Sequence, residues 1–217
     1  MLIPVTIGYD GNKKIIDDLV DLVHLFVYIS KEQMDVIRNN NDFIYEKLKS
    51  DNYGFMPIYF GLKDRTNMCR MFQAIEYRFK TMEERYDLFI REKCRNISEY
   101  NDTHKENLKH EVLLLYGYPN SEYLGYKKIE DRLTRILQLG RAAGIHIIII
   151  TDEINNICDG VLLNFVNKIC TRKDVDKEMF YLSPDFELHD NELVYDCIKN
   201  NNAIVLNYRK EDYVRTK

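Results

Sequence analysis

In α/β sheets ligand chemistry sits at the ends of apolar strands, and three such ends can be tested for nucleotide chemistry in these 217 residues. The first follows the apolar run at 23–27. A phosphate-binding loop there requires G-x-x-x-x-G-K-S/T. Its glycines let backbone N–H groups wrap the phosphates, its lysine reaches the β and γ oxygens, and its hydroxyl holds Mg2+. The chain reads Tyr28-Ile29-Ser30-Lys31-Glu32-Gln33-Met34-Asp35-Val36, without a glycine and without a Lys-Ser or Lys-Thr pair. Lys31 is the one residue of the right type, and Glu32 and Asp35 would repel phosphate at a helix start. The second place follows 112–115. Hydrolysis needs Asp-Glu there, Asp to position Mg2+ and Glu to activate water, and the chain has Tyr116-Gly117. The third is Thr151-Asp152-Glu153, after the apolar run 145–150.

Metal and thiol chemistry find no pattern either. The cysteines (Cys69, Cys94, Cys158, Cys170, Cys197) are odd in number and form no C-x-x-C pair, and the five histidines form no H-x-x-x-H pair. This reads as reduced thiols, with neither a disulfide framework nor a zinc site. No metal and no cofactor are expected.

The elements around these places are legible. Residues 112–115 form a short strand, and Gly117, Pro119, Asn120 and Ser121 break it. The pattern at 126–143 is helical: Ile129, Leu133, Ile136, Leu137 and Gly140 share one face, with Lys127, Lys128, Glu130, Asp131 and Arg135 opposite. Gly144 is placed to stop the helix in a left-handed conformation. The run 145–150, interrupted only by His146, reads as a parallel strand buried on both faces. Upstream, strands are expected at 3–7, 14–19, 23–27 and 55–60, with a turn at Tyr9-Asp10-Gly11-Asn12. Helices are expected at 31–49, broken near Asn39-Asn40-Asn41, and at 66–91. The Met and aromatic stripe of the latter, from Met68 to Phe89, reads as core. Downstream, a helical segment at 160–169, a strand at 169–171, a helix at 173–181, a hairpin at 188–194 and a final strand at 203–208 near the sheet edge are expected.

Composition bounds the class. Apolar residues make up 45% and charged residues 30%, with 9 Gly and 4 Pro, as in one globular domain spanning 1–217 without linkers. No apolar run approaches a membrane span, and the N-terminus lacks the pattern of a signal peptide, so a cytoplasmic location is expected. The net charge of −4 is not that of a nucleic-acid binder. Residues 174–217 hold ten acids against six bases, whereas 65–95 are mildly basic, with eight bases against five acids. The plain reading of the basic stretch is a solvated helix face.

Several segments resemble the FtsK/SpoIIIE family of DNA-translocating ATPases. Arg141-Ala142-Ala143-Gly144-Ile145-His146 is similar to the family's segment after its Walker B strand. Met82-Glu83-Glu84-Arg85-Tyr86 resembles the family's Met-Glu-Arg-Arg-Tyr helix, and residues 94–101 resemble the segment that follows it, with Asn96, Tyr100 and Asn101 in place. Pro4, Val5, Gly8 and Asp10 match the family's opening hairpin, and His24-Leu25 matches the His-Leu before its phosphate loop. Residues 160–169 and 188–194 are similar only loosely. The resemblance covers about 3–194. It implies a RecA-like P-loop NTPase fold, α/β with a mostly parallel central sheet and helices on both faces.

The family's activity does not carry over with the fold. Phosphate loop, Asp-Glu pair and sensor are all changed; Asp152-Glu153 stand where the family has Gln-Arg. The expectation is a catalytically inactive module that recognises a substrate or assembles with other FtsK-like modules. Terminal modules of type VII secretion coupling ATPases are one such setting, in which a ring oligomer is possible. The alternatives are a DNA-binding accessory of a translocase, which the acidic balance opposes, and an ATPase with a rebuilt site. Nucleotide lies between neighbouring subunits in ring ATPases of this class. The vacated strand ends would therefore offer Tyr28, Ile29, Tyr116, Tyr118 and Pro119 either as filling or as a docking surface for a protein partner or substrate segment.

Overall fold

Isoleucine and leucine runs with no polar alternation need cover on both sides, and the computed structural model supplies it. It describes residues 4–10, 12–18, 24–40, 53–59, 65–105, 107–118, 125–197 and 203–207. The strands are β1 (Pro4–Asp10), β2 (Lys13–Asp18), β3 (Leu25–Tyr28), β4 (Tyr53–Tyr59), β5 (His110–Tyr116), β6 (Ile145–Thr151), β7 (Lys168–Cys170), β8 (Glu192–Asp196) and β9 (Ile204–Asn207). The helices are α1 (Lys31–Asn40), α2 (Arg65–Glu92), α3 (Ile97–Thr103), α4 (Tyr126–Ala143) and α5 (Asp159–Leu162). All nine strands join one sheet, in the order β2-β1-β9-β8-β7-β3-β6-β5-β4.

From β7 to β4 the sheet is parallel, with Leu25 to Tyr28 opposite Ile148 to Thr151 and Glu111 to Tyr116 opposite Ile145 to Ile150. An antiparallel wing of β8, β9, β1 and β2 extends the other side. β6 is buried at every position because each face has its own cluster. On one side α2 and α4 contribute Met71, Ile75, Phe79 and Met82, and Ile129, Leu133, Ile136 and Leu137, against Leu113, Leu115, Ile147 and Ile149. On the other, Met34 of α1 packs with Val112, Leu114, Ile148 and Ile150. α4 spans the expected residues, and Gly144 caps it at φ 70° with its N–H bonded to Arg141 O.

The C-terminal third differs from expectation. The helix expected at 160–169 is only the four residues Asp159–Leu162: Asn164 Nδ2 donates to Gly160 O at 2.6 Å, and Phe165 turns inward against Phe26, ring centroids 5.6 Å apart. Such side-chain competition for a helix carbonyl ends the helix. Residues 173–181 form turns. Met179 N–H is taken by Asp176 Oδ1 at 3.0 Å, and Tyr181 adopts a left-handed φ of 54°. Residues 188–194 do not close a hairpin on themselves. β8 begins at Glu192 and pairs with β7 and β9 instead. β9 is not near the edge, because the β1–β2 hairpin lies beyond it. No helix among the described residues is long and apolar enough to cross a membrane.

Candidate functional site at the strand ends

In parallel α/β sheets ligands bind outside the carboxyl ends of the strands. Those ends here are Tyr28, Tyr116, Thr151 and Cys170. β3 ends at Tyr28 and α1 starts at Lys31, so only Ile29 and Ser30 connect them. That is too short to wrap a phosphate. The first turn of α1 is also closed by its own side chains. Ser30 Oγ accepts from Gln33 N–H at 3.2 Å, and Gln33 Oε1 accepts from Ser30 N–H at 3.0 Å. This is a reciprocal capping box, and it consumes N–H groups that would otherwise face an anion. Thr171, just past β7, fixes it from outside: its Oγ1 lies 2.5 Å from Gln33 Oε1, and its N–H donates to Tyr28 O at 3.0 Å. Glu32 adds a negative charge in the same turn, and Lys31 is exposed.

Arg172 completes the closure. Its guanidinium sits 4.7 Å from the centroid of the Tyr28 ring. Nη1 donates to Asp152 O at 2.9 Å, and both Nε and Nη2 engage the Asp174 carboxylate. The hydrogen bond to Asp174 raises the Arg172 pKa, and the same contact holds the Asp174 carboxyl below its ordinary range. Burial pushes the Tyr28 hydroxyl up. The charge of Arg172 is thus already matched within the chain.

The β5 end carries no carboxylate. Gly117 turns the backbone at φ 87° and donates to Ile150 O at 2.7 Å. Tyr118 then packs edge-to-face on Tyr126, centroids 6.1 Å apart, while Tyr126 Oη donates to Asn156 O at 2.8 Å. Burial drives the Tyr118 pKa far above the tyrosine range. At the β6 end, Thr151 Oγ1 donates to Glu153 O at 2.9 Å and accepts from Glu153 N–H at 3.1 Å, a local turn. Among the described residues no group of three or more His, Cys, Asp or Glu side chains is arranged to hold a metal ion.

The proposed docking residues fall inside the packing. Tyr28, Ile29, Tyr116 and Tyr118 are 6%, 4%, 2% and 5% exposed. Tyr28 and Tyr118 belong to the cluster under α2 and α4, whereas Ile29 and Tyr116 belong to the opposite one. They share strand ends but no common surface, and in this conformation the filling role is the one their geometry supports. Pro119 lies outside the described residues. Sequence reasoning missed the lock around Gln33. Its local half, Ser30-x-x-Gln33, is a readable capping signal; Thr171, 138 residues from Gln33, has none.

The segments that carry the resemblance hold the opposite end of the sheet. Arg85 Nη1 donates to Ala143 O at 2.6 Å, and Nη2 reaches Lys109 O at 2.8 Å and Glu111 Oε1 at 3.1 Å. Arg78 Nε lies 3.2 Å from the other Glu111 oxygen. Asn96 caps α3 by accepting from Glu99 N–H at 3.0 Å. Asn101 clamps Leu108 through two backbone hydrogen bonds of 2.8 and 2.9 Å. His24 Nδ1 accepts from Ile147 N–H at 3.0 Å, and His110 Nδ1 lies 2.9 Å from His146 Nε2. Each is a framework role.

No family model matches the chain. The DNA translocase FtsK of Staphylococcus epidermidis is 32% identical over 110 residues, 46% of this chain and 14% of that protein. Among solved structures, the pCW3 conjugation coupling protein TcpA superposes over 99% of this chain and 68% of its own, at a TM-score of 0.71 and 15% identity. This chain has an FtsK/SpoIIIE-like, RecA-like P-loop ATPase fold. EssC (ATPases 2 and 3) of Geobacillus thermodenitrificans matches 94% of this chain at a TM-score of 0.69 and 15% identity, which is 44% of the EssC chain. This chain therefore spans a small part of the curated translocase it matches and under half of the EssC structure.

Proposed function

We propose that this chain is a non-hydrolysing FtsK/SpoIIIE-like module of a translocation machine, acting through contacts with other FtsK-like modules or with a translocated protein. The observation that carries this reading is the Ser30–Gln33 capping box tied to Thr171, which fills the place where a nucleotide needs open backbone N–H groups. The absence of a glycine loop after β3, of an Asp-Glu pair after β5 and of a Gln after Thr151 agrees with it. The relatives are a translocase and coupling or secretion ATPases, and the share of EssC covered is that of one module beside another. A ring or stacked assembly on the cytosolic side is the setting we infer, with the membrane reached only through other domains.

The test is nucleotide itself. Mg2+-ATP at millimolar concentration is expected to give no turnover and no saturable rise in melting temperature, since binding to the folded state would raise it by mass action. A saturable shift together with turnover that vanishes in Lys31→Ala would restore the reading of an ATPase with a rebuilt site. A second reading, a DNA-binding accessory, draws on the likeness to FtsK, and the net charge of −4 opposes it. Submicromolar duplex binding at physiological salt would favour it.

A further inference from the structure

β2 is an outer strand of the sheet, and no described strand pairs with its far side. Its six residues read Lys13-Lys14-Ile15-Ile16-Asp17-Asp18, cations at one end, anions at the other and two β-branched apolar residues between. It forms a hairpin with β1, in a register that runs from Asp10 opposite Lys13 to Pro4 opposite Asp18. The one irregularity, between Thr6 and Gly8, puts the extra residue in β1, so β2 alternates without a break along its length. Bulges, prolines and unanswered charges are the usual means by which an edge strand refuses a further strand. β2 has no bulge and no proline, and its charges sum to zero. Within the hairpin, Lys14, Asp17 and Asp18 stand opposite Tyr9, Val5 and Pro4, none of them charged.

This charge order selects the occupant. Successive residues of a strand direct their N–H and C=O groups alternately to its two sides. A strand that pairs antiparallel with its own copy must therefore carry the two-fold axis on a residue, not between two. Two such centres lie in the middle of β2. With the axis at Ile16, Lys14 falls opposite Asp18 of the second copy and Asp18 opposite its Lys14. With the axis at Ile15, Lys13 and Asp17 meet in the same reciprocal way. Either register sets isoleucine opposite isoleucine and brings no like charges together, and opposite charges directly across a ladder are stabilising. Parallel in-register pairing would set lysine on lysine and aspartate on aspartate, which is destabilising. An acidic or a basic segment of another protein answers one end of β2 and is repelled by the other. We propose that β2 pairs antiparallel with β2 of a second copy, joining two nine-stranded sheets into one across a two-fold axis. One short strand is a small interface, so the dimer is reversible. It lies at the sheet edge and does not depend on whether the strand ends hydrolyse nucleotide.

Sedimentation velocity of the full chain, from micromolar to submillimolar concentration, reads the association. A reversible monomer–dimer equilibrium is expected, without larger species. Lys13→Glu with Lys14→Glu, and separately Asp17→Lys with Asp18→Lys, set like charges opposite one another in both registers. Each double variant should raise the dimer dissociation constant about tenfold or more. An equimolar mixture of the two should recover the dimer, because the acidic strand of one then meets the basic strand of the other. A change in fold stability cannot give that recovery. Should a double variant fail to fold, Ile15→Cys and Ile16→Cys keep the test open. The residue on the axis lies opposite its own copy within disulfide reach, so one of the two, mildly oxidised, should form a covalent dimer faster than the parent chain does. The proposal is overturned by a chain that stays monomeric throughout, or by charge variants that associate as the parent does. It is overturned equally by a mixture no tighter than its components, by a larger assembly in place of the dimer, or by neither cysteine cross-linking.

Discussion

Arg85 Nη1 lies 2.6 Å from Ala143 O. The bond joins the Met82–Tyr86 stretch of α2 to the Arg141–His146 turn, two of the segments by which the sequence resembles the FtsK/SpoIIIE family. Side chains in both stretches serve the fold, so their presence does not depend on nucleotide chemistry.

That bond makes a strong prediction. Arg85 is 8% exposed and, with Arg78, balances the Glu111 carboxylate. Burial lowers the pKa of both arginines and Glu111 raises it again. Arg85→Met leaves Ala143 O and part of Glu111 without partners, so a loss of about 3–5 kcal/mol is expected. In a chain of this size that is on the order of ten degrees in melting temperature. Urea denaturation checks it. Arg85→Lys should recover only part, since one ammonium cannot span the three acceptors.

Acid should weaken the fold through His24. Burial, with the charge of His146 adding to it, lowers its pKa from 6.5 to about 3. The unfolded chain takes up a proton below pH 6.5 and the folded chain does not. Stability is therefore complete above 6.5 and falls by up to about 1.4 kcal/mol per pH unit as pH drops towards 3. Urea unfolding at pH 7 and pH 5 should show a smaller difference in His24→Gln than in the parent chain. Equal differences would mean that His24 is not the group responsible.

Tyr116 and Tyr118 separate filling from docking. With 2% and 5% exposure, each should behave as core, and changing either to Ser should cost about 3–5 kcal/mol, as truncating a buried aromatic does. A double variant that keeps its melting temperature and loses partner binding in calorimetry would reinstate the docking surface.

Gly140 tests the approach of α4 to β6. A Cβ there would meet Ile145 O at 2.8 Å, a backbone atom that cannot swing aside. Gly140→Ala should therefore destabilise by about 1–3 kcal/mol despite its better helix propensity. A thermal melt matching the parent would show that the helix can shift.

The sequence resolves α4 and β6 because apolar spacing and a C-terminal glycine agree with the tertiary answer there. It misleads at 173–181, where helix-compatible spacing is overruled by Asp176 turning the backbone at Met179 and by Tyr181 at φ 54°. The vacancy of the phosphate loop is plain in the letters of residues 28–36, but its closure is not. Thr171 and Arg172 reach Gln33 and Tyr28 from across the sheet, and no local pattern announces such contacts.

β9 separates the β1–β2 hairpin from the rest of the sheet, with Tyr9 opposite Asn207. Among the described strands, the two earliest in the sequence thus join the sheet through the latest. On a ribosome adding roughly 5–20 residues per second, the hairpin would wait on the order of ten to forty seconds for its neighbour, while the parallel strands up to Cys170 are already out. Its unpaired edge is exposed throughout that interval, a window in which a chaperone, or another copy of the same hairpin, can reach it first.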